Sequence, residues 1–357
     1  YLDMARSSSP KVSILIVLFN NAEFTYSCLR ALESETDIPS EVIVVDNHST
    51  DGTGELLERV RGVEMIRNQE SLGFLKAVDQ AAARARGEHI LLLNNDAIPR
   101  QGSLVHALDA LERSEDIAAV GGRLVLPDGT LLEAGGFIGV DGCCHRYGHG
   151  LTEDSYEGMF RREVDFCSAA FLLLRRSAFE SIGGFDGSFA PANHVEWDLC
   201  LRFYEQGHRV IYEPQAVVDS YEFASTDNLP ATVAQLEKNA DRFRVKDRLS
   251  VSRYGEATPE SIFHARSRAI PKGRILFLDD FLPHLTNGAG CPRALEMLNV
   301  LHRAGFFVTF WALNASSETW ESTYKALPRE IEVVRGRRAE KLRDFLQERM
   351  GFYTAII

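Results

Sequence analysis

Residues 88–99 read EHILLLNNDAIP: an unbroken apolar run, 90–93, ends in Asn94, Asn95 and Asp96. A continuous apolar stretch of this length predicts a strand covered on both faces, as in parallel α/β sheets. Such sheets bind ligands beyond the carboxyl ends of their strands, where helix amino termini also converge. Two amides and a carboxylate at that position therefore read either as an Asx turn closing a strand or as part of a site.

Working outward, the flanking sequence repeats the pattern. KVSILIVLF (11–19), EVIVVD (41–46) and VEMIR (63–67) are strand-like, and helical periodicity follows at 24–32, 50–60 and 73–86. Thr50 and Asp51 stand where a helix cap belongs. Strand–helix alternation predicts a mostly parallel sheet with helices on both faces. Three of its strand ends are polar, at Asn20–Asn21, Asp46–Asn47 and Asn94–Asp96. One such end is an ordinary turn; three in a row favour a binding crevice.

Beyond 121 the pattern changes. PDGT (127–130) is a turn between short strands, VDFCSAAFLLLRRSAF (164–179) is a strand entering a helix, and IGGFDGSF (182–189) is a glycine-bearing loop. VEWDLCLRFYEQG (195–207) is an amphipathic helix, RVIYEP (209–214) a strand, and 231–250 a polar helix. Periodicity lapses within 254–272, and a new α/β unit opens at GRILFLDDFLP (273–283). The expected division is 1–255, a linker at 256–272, and a partial Rossmann-like domain at 273–357. Tyr1 at the start and a strand-like GFYTAII at the end suggest a piece of a longer protein.

The chain has 357 residues, 45% hydrophobic and 25% charged, with a formal net charge of −12. That charge argues against a broad nucleic-acid-binding face. It leaves open a phosphate-bearing small ligand held by a metal ion and backbone amides. Six cysteines form no CxxC pair, which suits reduced thiols in a cytoplasmic protein. CCHRYGHG (143–150) offers Cys144, His145 and His149 as zinc ligands, but without a second cysteine pair a polar loop is the preferred reading. No apolar run approaches the roughly 20 residues of a membrane helix.

SILIVLFNN, VIVVDNHSTDGT, SLGFLKA, ILLLNNDAIP, GGFDGSF and EWDLCLR stand in the order and spacing of family 2 glycosyltransferases, which the chain resembles over about residues 10–250. The resemblance is to bacterial enzymes of O-antigen and surface-polysaccharide assembly. It implies a GT-A fold and inverting transfer from a nucleotide-diphosphate sugar to a saccharide or lipid-linked saccharide hydroxyl. It also implies a divalent Mg²⁺ or Mn²⁺ and work at the inner face of the cytoplasmic membrane. The segment from 273, ILFLDDFLPHLTNGAG and its helix, is similar to the opening half of a GT-B domain.

By that resemblance Asp96 ligates the metal, while Asn94 and Asn95 bond ribose or sugar hydroxyls. Asp46 binds the nucleobase, and Leu18, Phe19 and Asn20 line its pocket. Gly73 permits close backbone approach, Lys76 faces the diphosphate, and Asp79 replaces a usual asparagine. Glu196 is the base in HVEWDLC, where Val195 replaces the first acid, and Asp198 orients the helix. Ser220 stands where relatives carry a metal-binding histidine; Asp219 and His194 are nearby alternatives. Three competing readings are a donor-binding domain with little turnover that scaffolds its neighbour, an NAD enzyme using NGAGCPR, and a nucleotidyltransferase. The last two lack the required glycine pattern.

Overall fold

The computed structural model describes residues 1–4, 7–34, 37–139, 143–189, 195–221, 261–284, 290–314 and 318–357. The expected helix at 231–250 lies outside them. The first strands form as the apolar runs dictate: β1 (Val12–Leu18), β2 (Ser40–Asp46), β3 (Val63–Arg67) and β4 (His89–Asn94) run parallel to one another. Helices α1 (Ala22–Ser34), α2 (Thr53–Leu57) and α3 (Phe74–Ala82) connect them. Helix α2 is shorter than its sequence pattern predicts, because Val60–Arg61 leaves it to pair with Leu2–Asp3. The N-cap of α2 is Gly52 rather than Thr50 or Asp51; Asp51 stands one residue before it, its Oδ1 accepting the Thr53 amide at 2.9 Å.

The chain continues with β5 (Ala97–Pro99), α4 (Ser103–Leu111), β6 (Ile117–Val125), β7 (Leu131–Glu133) and a separate two-stranded hairpin of β8 (Gly136–Ile138) and β9 (Cys144–Arg146). Then come β10 (Arg162–Glu163), β11 (Phe171–Arg175), α5 (Arg176–Ser181), α6 (Val195–Glu205) and β12 (Arg209–Ser220). The strand order is β10-β12-β6-β11-β4-β1-β2-β3, with β5 on β12 and β7 on β6. The sheet is therefore mixed rather than mostly parallel. Strand β11 runs antiparallel between β4 and β6, because a tight turn at 168–170 feeds it instead of a crossover helix. Two apolar layers cover the sheet, one on each face, around Leu15, Ile43 and Leu92 and around Ile14, Val44 and Leu91.

The turn at 127–130 closes as its sequence requires, with Leu126 donating to Thr130 and Gly129 at φ 80°. Within CCHRYGHG the described residues form regular structure. Strand β9 pairs with β8, His145 stacks on Phe137, and His149 meets the Leu132 carbonyl.

The carboxyl-terminal residues build a second, four-stranded parallel sheet: α7 (Ile262–Ala265) leads into β13 (Arg274–Asp279), α8 (Gly290–Arg303), β14 (Phe307–Ala312), α9 (Trp320–Ala326), β15 (Glu332–Val334), α10 (Leu342–Glu348) and β16 (Ala355–Ile356). Its order is β15-β14-β13-β16. Residues 262–268 contact both units, Arg266 reaching Tyr147 of the first at 2.9 Å. Arg266, 1% exposed, reaches Glu332 at 2.8 Å, and Arg349 grips the same carboxylate at 2.7 and 3.0 Å. Arg349 also reaches Tyr156 at 3.3 Å, so this buried cluster ties the two sheets' units together.

Candidate active site

Register explains why the polar residues meet. In β1, Leu18 faces Asp46 of β2, and Val17 faces Asn94 of β4. Asp46 and Asn94 each close their strand and flank β1, two strand spacings or ~10 Å apart. Asp96 follows one residue beyond the intervening Asn95. These carboxyl ends lie side by side at one end of the sheet.

The backbone there is unusual. Asn20, Asn21 and His48 all have positive φ, at 59°, 64° and 77°. Asparagine tolerates that region better than most residues, yet three adjacent departures mark a backbone held for a purpose. Side chains hold it: Ser49 Oγ accepts the Asn20 amide at 2.8 Å, and Asn20 Oδ1 accepts the Thr50 amide at 2.8 Å. Asp46 Oδ1 accepts the Ser49 amide at 2.9 Å. Asn47 Oδ1 takes the Leu72 amide at 3.0 Å, anchoring the approach to α3.

At the start of α3, Gly73 has φ 77° and ψ 165°, a conformation a side chain would strain. Lys76 is exposed on the first turn and has no ion-pair partner among the described residues. Asp79 is exposed on the same helix, and partial burial raises its carboxyl pKa. Leu18 is buried and Phe19 half-buried beside them.

Asn95 departs from its expected outward role. It is buried, and its Nδ2 donates inward to Thr25 Oγ1 at 3.0 Å and to the Asn20 carbonyl at 3.4 Å. That amide nitrogen braces the β1–α1 connection. Asp96 is also largely buried; its carbonyl accepts the Tyr221 amide at 3.0 Å. The Cys28 thiol is pushed up by burial and then by the negative charge of Asp96.

Pairing of β5 with β12 sets Ser220 opposite Ala97, next to Asp96. Asp219 alternates to the other side, where Arg100 clamps it at 2.7 Å. Asp219 is thus held away from Asp96, and His194 lies outside the described residues. The donor set at Asp96, a carboxylate with a hydroxyl nearby, has the hard oxygen chemistry that Mg²⁺ or Mn²⁺ prefers when phosphate oxygens complete the shell. The three-residue group of potential metal ligands found among the described residues lies elsewhere. Glu88, His89 and Glu112 sit at the opposite end of β4, with Lys11 already on Glu112 at 2.7 Å.

Glu196 lies in the first turn of α6. The residue is partly exposed, but its carboxyl sits within the protein; burial raises its pKa and Arg146 opposes that rise. Arg146 in turn approaches buried Glu133 at 3.8 Å, and Glu133 accepts the Ser168 amide at 2.8 Å. Asp198 faces its own helix: Arg202 donates to it at 2.7 Å and also to the Ile182 carbonyl at 3.0 Å. Phe185 packs against Phe74 at 6.4 Å, bringing the loop before α6 against the start of α3. Glu133 and Arg146 escaped the sequence reading. The available signal was a glutamate closing the apolar strand LLE and an arginine inside the suspected zinc loop.

The glycosyl transferase family 2 model matches residues 13–183. The N-acetylglucosaminyl-diphospho-decaprenol L-rhamnosyltransferase of Mycobacterium tuberculosis is 30% identical over 227 residues, 57% of this chain and 74% of that protein. The chain belongs to glycosyl transferase family 2. This family 2 chain is also 30% identical to the O-antigen biosynthesis protein RfbC of Myxococcus xanthus over 226 residues, 61% of the chain. It is 26% identical to an uncharacterized protein of Sinorhizobium fredii over 246 residues, 65% of the chain. It spans only 18% and 27% of those two relatives. Among solved structures, GalNAc-T7 with UDP, GalNAc and Mn²⁺ superposes with TM-score 0.52 at 14% identity, covering 67% of this chain and 48% of that one. That likeness concerns the fold alone, a GT-A-like α/β arrangement.

Proposed function

We propose that this family 2 glycosyltransferase moves a sugar, with inversion, from a nucleotide-diphosphate donor to a saccharide hydroxyl during surface-polysaccharide assembly. The observation that carries the reading is the convergence of Asp46, Asn94 and Asp96 at neighbouring strand ends, beside a backbone held at positive φ. Relatives named for rhamnosyl transfer and O-antigen biosynthesis support the substrate class. The neighbour with UDP and Mn²⁺ supports a divalent metal.

In this mechanism the nucleobase and ribose lie across Leu18, Phe19 and Asn20, with Asp46 accepting a base N–H. Gly73 lets the chain approach the diphosphate, and Lys76 adds a positive charge to it. Asp96 would hold Mg²⁺ or Mn²⁺, which supplies charge neutralisation to the departing diphosphate. Asn94 bonds a hydroxyl of the donor without adding negative charge. Asn95 fixes the loop that carries Asn20. Glu196 takes the proton of the acceptor hydroxyl as its oxygen attacks the anomeric carbon and the bond to the diphosphate breaks. Burial raises its basicity, and the positive charge of Arg146 opposes that rise. Asp198 acts on the helix through Arg202. The acceptor is a saccharide, free or lipid-linked, at the cytoplasmic face of the membrane; no helix among the described residues is long and apolar enough to cross one. The four parallel strands after 273 support reading residues 273–357 as the opening half of a GT-B-like domain, joined through 256–272.

A second reading has a specific basis: Ser220 and Val195 occupy positions where the family resemblance calls for histidine and an acid. In that reading the domain binds a sugar nucleotide but turns it over slowly, and scaffolds its neighbour. Transfer of radiolabelled sugar to the native acceptor separates the two. Turnover supports the enzyme; nucleotide binding with no transfer across donors and metals supports the scaffold.

A further inference from the structure

A cleft of about 500 Å³ lies between the two units, at the end of the large sheet opposite Asp46 and Asp96. Ile117, which begins β6, and Arg209, which begins β12, mark that end. Phe306, Phe307 and Phe352 of the second unit form the facing wall. The strand length of β4, ~20 Å, separates the cleft from the proposed donor end.

The lining is cationic within a chain whose net charge is −12. It includes five arginines but two carboxylates, Glu163 and Glu330. Glu330 is already engaged by Arg161 at 3.0 Å and by Arg113 at 3.6 Å. Arg209 pairs with Asp116. Two guanidiniums have no carboxylate partner among the described residues. Arg162, 5% exposed, donates to the backbone carbonyls of Arg266 at 3.1 Å, Phe160 at 3.2 Å and Ala134. Arg274 lies over the Phe352 ring at 5.2 Å. His264 packs on the same ring at 4.9 Å. A desolvated cation without a counter-charge is costly, and an anion entering the cleft relieves that cost. A guanidinium fork suits phosphate or carboxylate oxygens, while aromatic walls require apolar surface to cover them.

We propose that this cleft is a second binding site, for an organic anion carrying a phosphate or carboxylate head on an apolar body. The proposal does not depend on the transferase reading, since no residue is shared with the donor end. The probe is 8-anilinonaphthalene-1-sulfonate, titrated by fluorescence into the whole chain, with dodecyl phosphate below its micelle concentration as competitor. Saturable binding is expected, displaced by dodecyl phosphate at concentrations where sodium phosphate and dodecanol are ineffective. Its affinity should weaken as salt rises. Arg274→Ala should weaken it by about tenfold or more, and Arg274→Lys should retain most of it. Near-ultraviolet circular dichroism checks folding, and Arg274→Gln substitutes if the alanine variant fails to fold. Sedimentation with phosphatidylcholine vesicles, with and without phosphatidate, distinguishes the sources. Arg274-dependent pelleting with phosphatidate identifies a lipid headgroup, whereas displacement without pelleting identifies a free amphiphile. Absence of a saturable site, insensitivity to salt, unchanged affinity in the neutral variants, or equal displacement by sodium phosphate alone overturns the proposal.

Discussion

Glu196 and Arg146 form a testable pair. Burial holds the Glu196 carboxyl above its ordinary value, so a base in this position is protonated, and idle, below that raised pKa. Activity should therefore rise with pH along a limb displaced upward from about 4.3, the value of a free glutamate. Arg146 stabilises the ionised form, so Arg146→Ala should move the limb to still higher pH in a profile of kcat/KM. A stationary limb would detach Arg146 from the base. Glu196→Gln should lower kcat by about a hundredfold or more while leaving donor binding intact; full turnover would remove the assignment. Asn95 illustrates what a sequence cannot give. Its place beside Asp96 was legible, but the direction of its amide depended on Thr25, seventy residues earlier in the chain.

The strands and helices of the first hundred residues were legible because both faces of a parallel sheet demand continuous apolar runs. So was the adjacency of the polar strand ends, where the candidate site is placed. The reversal of β11 was not. Its residues, FLLLR, are equally apolar in either direction, and only pairing against Leu92 and Val120 decides it. Position within an element also decides the cost of change. Gly73→Ala forces a side chain to φ 77° and should cost about 1 kcal/mol or more of stability, read as a lower urea midpoint. An unchanged midpoint would mean the loop relaxes freely. In α6, Asp198→Ala removes a buried charge-assisted bond and leaves Arg202 short of its partner; a loss of about 2 kcal/mol is expected, with kcat affected less than by Glu196→Gln. An equal collapse of kcat would give Asp198 a catalytic part.

At the scale of the whole molecule, the Arg266–Glu332–Arg349 cluster joins what the sequence divided. The lapse in periodicity suggested a linker over 256–272, and one buried arginine leaves no periodic signal of what that segment touches. Burial by itself would raise the Glu332 carboxyl, but Arg266 and Arg349 hold it well below its ordinary value. A lowered folded-state pKa means that the stabilisation is fully present above about 4.3 and is lost as pH falls through the folded value. Thermal stability should therefore fall on acidification, and Glu332→Gln should flatten that slope. It should also destabilise the chain by about 3–5 kcal/mol at neutral pH, since two buried cations lose their counter-charge. The central claim, a metal-dependent nucleotide-sugar site at the strand ends, is tested most directly by calorimetric titration of UDP-, GDP- and dTDP-sugars with and without Mn²⁺. At least one donor should bind only in the presence of the metal, and Asp96→Ala should weaken that binding by about a hundredfold. No donor binding across the panel, or equal binding by Asp96→Ala, would contradict it.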